Sequence, residues 1–329
     1  MEQKRHIEWI DSLKGLAIIL VVLGHNTGGE NDAYHFFYTF HMPLFFLISG
    51  FLFSMKPPLE YLKRSFRHLM VPYIAFLGCY ALYQIISSNF IPSLAEPHFI
   101  RNIFYGGYRL TGPLAVFWFV GVLWMAQNLY NLIARLHPSR WWLLLLICSS
   151  YATILLKRPW VMCINVVPLV LSYIWLGNIL REEMPRMEAF SKKFSGFISG
   201  RLRFIIPAMI ILTVFALLFV FRDSLYLNIK CNRLGLPGVS YIASVAGAIA
   251  AAFVAAWLHR NGGARLLGYL GRSSMTVMYL HMPVKFYMVC AIWHPDFPLA
   301  GFILGLALPL AIHELFRRHS VPRRLFLGA

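Results

Sequence analysis

Three ionisable residues share one face of the apolar stretch "DSLKGLAIILVVLGHNTG" at residues 11–28. Lys14 and His25 are 11 residues apart, which on an α-helix is about 1,100°, or about 20° past three full turns. Asp11 to His25 falls about 40° short of four turns by the same geometry. All three therefore lie on one stripe, with the lysine and the histidine separated axially by about 16 Å. Asp11 is three residues from Lys14 on that face and is its natural ion partner, but it is too far along the helix to orient the His25 ring. In lipid such groups are costly unless they face a protein interior and have a task or a partner. A snorkelling lysine and a hydrogen-bonded histidine are the plain alternative, but they leave the repeated angular position unexplained.

Other segments offer further groups. "FHMPLFFLISGFLF" at 40–53 contains His41, with Pro43 removing a backbone donor and Ser49 and Gly50 small enough for close helix approach. Read alone, it is more a packing segment than a site. "YLKRSFRHLMVPY" at 61–73 gathers Lys63, Arg64, Arg67 and His68 into one cationic cluster. Such a cluster orients a chain in a bilayer and meets anionic lipid, while its forked guanidinium donors also suit a phosphate. "LGYLGRSSMTVMYLHMPVK" at 267–285 places His281 well inside a late apolar span, with Lys285 one turn further. A second intramembrane histidine suggests that His25 and His281 converge on a cavity of the bundle. His25, His41 and His281 have no recognisable metal-ligand spacing, so no metal site is expected.

The elements that must position these groups are membrane helices. The 329 residues are 59% hydrophobic and only 13% charged, against about a quarter charged in an ordinary soluble domain. Runs such as "WWLLLLICSSYATILL" and "VSYIASVAGAIAAAFVAAWL" are long enough to cross a bilayer. The expected fold is all-α, a polytopic transmembrane bundle of about ten spans. They fall at about 9–28, 35–54, 69–90, 114–134, 141–156, 160–180, 204–222, 241–258, 271–292 and 298–316.

A net charge of +17 invites a nucleic-acid reading, but the position of the charge argues for a membrane instead. With the N-terminus inside, most of the 30 basic residues fall on inside segments, which predicts both termini cytoplasmic. The basic turn "LKRPW" at 156–160 falls outside and is the exception. The first span follows "EQKRH" but precedes no small-x-small cleavage site, so it reads as a retained helix rather than a signal peptide. Cys79, Cys148, Cys163, Cys231 and Cys290 lie mostly within spans and read as small apolar fillers. No loop is long enough to bury a core of its own. Residues 1–329 are therefore read as a single integral-membrane domain, without an appended soluble domain.

These segments resemble a known family. "DSLKGLAIILVVLGH" is similar to the first-span signature of acyltransferase family 3, an Arg or Lys followed by ten residues and a His. "FHMPLFFLISGFLF", "KRSFRHLMVPY", "WFVGVLW" at 118–124 and "LGRSSMTVMYLH" resemble its further motifs in order, and the whole looks like the standalone O-acetyltransferase branch related to fucose acetylases. The resemblance implies a multi-pass enzyme of the bacterial inner membrane that moves acetyl from cytosolic acetyl-CoA to a sugar hydroxyl of an envelope or exported glycan. It makes Lys14 and His25 the signature pair and Arg64 and Arg67 the basic motif before the third span. Lys14 stands where Arg is commoner, which keeps the charge but loses the bidentate fork.

Read this way, the CoA nucleotide rests on Lys14, Arg64 and Arg67, and the pantetheine arm follows the first helix inward. Near His25 the thioester meets the acceptor hydroxyl. His25 then serves as general base, or as a transient acetyl carrier. His281 would hold the acceptor hydroxyl or the thioester carbonyl, the alternative being a core histidine bonded to a neighbouring helix. Acetyl-CoA is a co-substrate here, with no tightly bound cofactor. The expected partners are the glycan or lipid-linked saccharide and membrane lipids, not nucleic acid. A transporter or flippase for a lipid-linked saccharide is the competing reading.

Overall fold

The computed structural model describes residues 8–27, 29–90, 98–136, 139–156, 160–197, 202–289 and 298–328. The described residues are helical apart from connecting turns and one isolated antiparallel bridge, Asn228 with Arg233. Lys157 and Arg158 of the basic turn, Lys4, Arg5, Arg201 and Cys290 lie outside the described residues.

Each of the ten expected stretches contains helix. Five helical runs are long and apolar enough to cross a membrane: 58–87, 112–136, 161–189, 239–272 and 298–318. Two shorter apolar helices cover 141–152 and 204–220. Exposed apolar side chains cover the outer helices, among them Ile205, Met209 and Leu212, then Ile303, and the indoles of Trp141, Trp142 and Trp257. A soluble protein does not leave contiguous apolar surface of this extent in water. The fold is that of a multi-pass membrane protein.

Two helices carrying the candidate chemistry sit at its centre. α1 (Glu8–His25) carries Glu8 and Asp11 in its first turn, where negative charge complements the helix dipole, and ends on His25. α2 (Asp32–Phe51) is capped by Asn31, whose side chain accepts from the Tyr34 backbone N–H at 3.0 Å. Neither is among the most apolar helices, because their polar groups face inward where neighbours shield them. Ala17, Ile18 and Val22 of α1 and Phe40 and Phe46 of α2 are almost fully buried.

Next in the chain come α3 (Pro58–Ser65), a π-helical turn over Phe66–Met70, and α4 (Val71–Phe90). After α5 (Phe99–Tyr105) stand α6 (Trp118–Ile133), α7 (Trp141–Ala152) and α8 (Val167–Phe197). Then come α9 (Leu202–Val220), α10 (Arg222–Leu225) and α11 (Val239–Leu258). The chain closes with α12 (Ala264–Arg272), α13 (Ser274–Val284), α14 (Pro298–Arg318) and α15 (Ser320–Phe326).

Two glycine pairs clamp the central helices. A Cβ on Gly15 of α1 would overlap the Leu267 carbonyl of α12, and one on Gly271 of α12 would overlap the Asp11 carbonyl. Gly50 of α2 and Gly177 of α8 stand in the same relation to the carbonyls of Ile174 and Leu47. Backbone-to-backbone approach of this kind is how helices associate where lipid removes the hydrophobic drive between them.

One expectation needs correcting. Residues 259–270 read as an inside loop, yet 264–272 form α12, packed along α1. The segment buries Leu267, Gly268, Leu270 and Gly271 on one face and leaves Arg265 exposed, a helical pattern too short to register as a span. The expected span at 271–292 correspondingly breaks between α12 and α13 at Ser273 and continues as a π turn from Lys285.

Candidate functional site

The stripe on α1 faces a cavity. A space of about 940 Å³ is bordered at one end by Asp11, Lys14, Arg64 and Arg272. His25, Tyr38 and His41 border its middle, Glu30 and Tyr34 its far end, and Asn228 and Lys230 also line it. The helical rise sets Lys14 and His25 about 16 Å apart along this space.

At the cationic end, Lys14 Nζ donates to Asp11 Oδ1 at 3.3 Å, and the second Asp11 oxygen stands 3.8 Å from Arg272 Nη1. The carboxylate therefore holds two cations from different helices. Arg64 arrives from α3 and borders the cavity, whereas Arg67 does not. Arg67 instead opens onto a shallow depression with Glu60, Lys63, Arg64 and His68. Arg64 and His68 border both spaces, so the depression adjoins the cavity. The split falls where α3 gives way to the π-helical turn that carries Arg67 and His68.

At the middle, His25 ends α1, and Lys285 donates to its backbone carbonyl. That contact fixes the helix terminus where the last carbonyls lack intrahelical partners. The Tyr38 hydroxyl is 3.3 Å from His25 Nδ1 and 3.5 Å from Nε2. Its ring stands edge-on to both His25, at 5.8 Å, and His41, at 4.7 Å. A backbone carbonyl can only accept, so the bonds of His41 Nδ1 to Phe37 (2.6 Å) and of His281 Nδ1 to Val277 (2.9 Å) fix both tautomers. Each ring thus keeps Nε2 as an acceptor. His281 is fully buried, 5.3 Å from His25 between ring centres, and its Nε2 has no hydrogen-bond partner among the described residues.

The structure thus brings Lys14, Arg64 and His25 to one cavity and places His281 directly behind His25. On the same helix, Met278 and Met282 border the cavity and His281 does not. Among the described residues no three His, Cys, Asp or Glu side chains group as metal ligands.

Sequence reasoning passed over Tyr38, Arg272 and Lys230. Tyr38 had a signal, standing three residues before His41 on the same helical face. Arg272 and Lys230 had none, because their places depend on how α12 and the 226–233 turn fold back onto the bundle.

The far end is braced by an ion pair and a hydrogen bond. Arg222 meets Asp32 at 2.8 Å, and Asp223 meets His35 at 2.7 Å, tying α10 to the first turn of α2. The bond from His35 holds the exposed Asp223 carboxyl below its usual range.

A family model described as an acyltransferase domain matches residues 7–314, nearly the whole chain. No curated protein and no solved structure matches it.

Proposed function

The chain belongs to acyltransferase family 3 and is a membrane acyltransferase; on that premise we propose that it moves an acetyl group from cytosolic acetyl-CoA to a sugar hydroxyl of an envelope or exported glycan. The observation that carries this reading is the single cavity joining Lys14 and Arg64 at one end to His25 in the middle and to Glu30 and Tyr34 beyond. A donor with a polyanionic head and a long thin arm needs such a path, and so does an acceptor arriving from the opposite side.

In this reading the protein sits in the bacterial inner membrane with both termini cytoplasmic. The nucleotide phosphates lie on Lys14 and Arg64, with Arg272 beside them and Arg67 on the adjoining depression. The arm follows α1 for about 16 Å and delivers the thioester to His25. His25 takes the proton of the acceptor hydroxyl as that oxygen attacks the acetyl carbon, and returns a proton to the departing CoA sulfur. Tyr38 holds the imidazole from the cavity side. His281 reaches the reacting atoms only through His25, so it acts as a positioning residue behind the base. The acceptor saccharide approaches past Tyr34 and Glu30, an aromatic face and a carboxylate suited to a sugar ring and its hydroxyls.

Purified protein supplied with acetyl-labelled CoA and a membrane polysaccharide fraction tests this directly. Wild-type protein is expected to place label in the polysaccharide. His25→Ala, expressed at the same level, is expected to lower transfer by about 10²–10⁴-fold. Undiminished transfer by His25→Ala would remove His25 from the mechanism, and no consumption of donor by the wild type would overturn the function itself.

A further inference from the structure

Acyl transfer needs more than a base. As the hydroxyl oxygen bonds to the thioester carbon, the carbonyl's π pair moves onto oxygen, and that negative charge must be met inside a site from which water is largely excluded. The histidines do not meet it: His41 and His281 commit their N–H donors to backbone carbonyls, and His25 is occupied with the proton. Lys285 is turned to the His25 carbonyl, Lys56 pairs with Glu60, and Lys14, Arg64 and Arg272 lie at the cationic end with Asp11.

Lys230 is the cation left. It borders the cavity and lies within electrostatic reach of His25. Its ammonium donates to the carbonyls of Leu110 and Ala115, the latter at 3.1 Å. An ammonium has three donors, so one remains, and it has no partner among the described residues. The turn that carries it is itself fastened. Leu227 and Ile229 are almost fully buried, and Asn228 and Arg233 exchange backbone bonds at 2.8 and 3.0 Å. Burial pushes the Lys230 ammonium's pKa down, which makes it a stronger donor, while the two carbonyls favour its charged form.

We propose that Lys230 is a catalytic residue of the acetyl transfer, its free N–H meeting the carbonyl oxygen of the thioester as that oxygen becomes an oxyanion. The inference rests on the acetyl-transfer reading above. The step balances as follows. The acceptor's O–H proton passes to His25 as the new C–O bond forms, and the carbonyl pair rests on the oxygen held by Lys230. When that pair returns, the C–S bond breaks, and CoA leaves as a thiol after taking the proton back from His25. A lysine held in place beforehand needs no reorganisation at that moment, which is the condition under which such donors are most effective.

The test uses the full-length protein in detergent with acetyl-labelled CoA, water as the acceptor probe, and release of labelled acetate as the readout. Lys230→Gln is expected to lower turnover at saturating donor by about 100-fold or more. Its KM for acetyl-CoA, its CoA affinity and its thermal stability should stay within about twofold of wild type. Lys230→Arg, which keeps a cation, should recover part of the rate. Wild-type turnover in Lys230→Gln overturns the proposal. So does loss of CoA binding and thermal stability in both variants, because Lys230 would then only tie the turn to Leu110 and Ala115. If wild-type protein itself releases and transfers no acetyl, the underlying reading fails instead, a result the Lys230 variants do not produce.

Discussion

At the scale of single residues, the contrast between His25 and His281 shows how two neighbouring helices divide labour. Both are histidines with apolar neighbours, but His25 ends α1 on the cavity wall while His281 is fully buried beside it. The bond from His281 Nδ1 to Val277 leaves an acceptor nitrogen in a ring that packs on His25. A base oriented by a second group behind it is the common arrangement for activating a weak nucleophile. His281→Ala is therefore expected to lower the maximal rate by roughly tenfold or more while leaving CoA affinity nearly unchanged. It should also displace the acidic limb of the pH–rate profile, which reports the base itself. A His281→Ala protein with wild-type rate and profile would assign this ring to packing alone.

Among the elements, α12 decides whether the cationic end exists. It brings Arg272 to Asp11, the carboxylate that also holds Lys14. It does so only because Gly15 and Gly271 let two backbones meet. Gly271→Leu would force the helices apart at that point, at a cost on the order of 1–3 kcal/mol. The expected result is a lower melting temperature and weaker CoA binding, with any remaining turnover still dependent on His25. Gly268→Ala serves as the comparison, because its Cβ would meet only the end of the Arg272 side chain at 3.4 Å. Equal effects of the two substitutions would show that close approach at Gly271 is not what holds the donor end.

For the molecule as a whole, the proposal has a direction: donor from the cytosol, acceptor from outside. Arg64 and Glu30 mark the two ends of the cavity and provide single positions at which to read it. In a background without the native cysteines, a membrane-impermeant maleimide applied to intact spheroplasts should label Glu30→Cys. Arg64→Cys should react only after the membrane is opened. The opposite pattern would invert the orientation and place the donor end outside.

How much of this was legible beforehand follows from which interactions are local. The all-helical membrane fold shows in composition and in the lengths of the apolar runs, because lipid leaves no other way to satisfy a spanning backbone without closing a barrel. The angular match of Asp11, Lys14 and His25 is likewise local, since one helix carries all three and 3.6 residues per turn place them. Family membership was legible in the same residues. Tertiary structure alone decided the rest. A helix at 264–272 hides in a segment too short to read as a span, and it matters because its Gly271 meets the backbone of α1. Arg67 lines the adjoining depression while Arg64, three residues earlier, borders the cavity, a difference that two like residue types do not announce. Lys230 lies in an unremarkable loop until the carbonyls of Leu110 and Ala115, more than a hundred residues earlier, hold its ammonium at the cavity wall. Sequence determines what each helix can carry and which face it carries it on. Only packing determines which faces share a cavity, because contacts between distant segments depend on how closely backbones approach, and no periodicity records that distance.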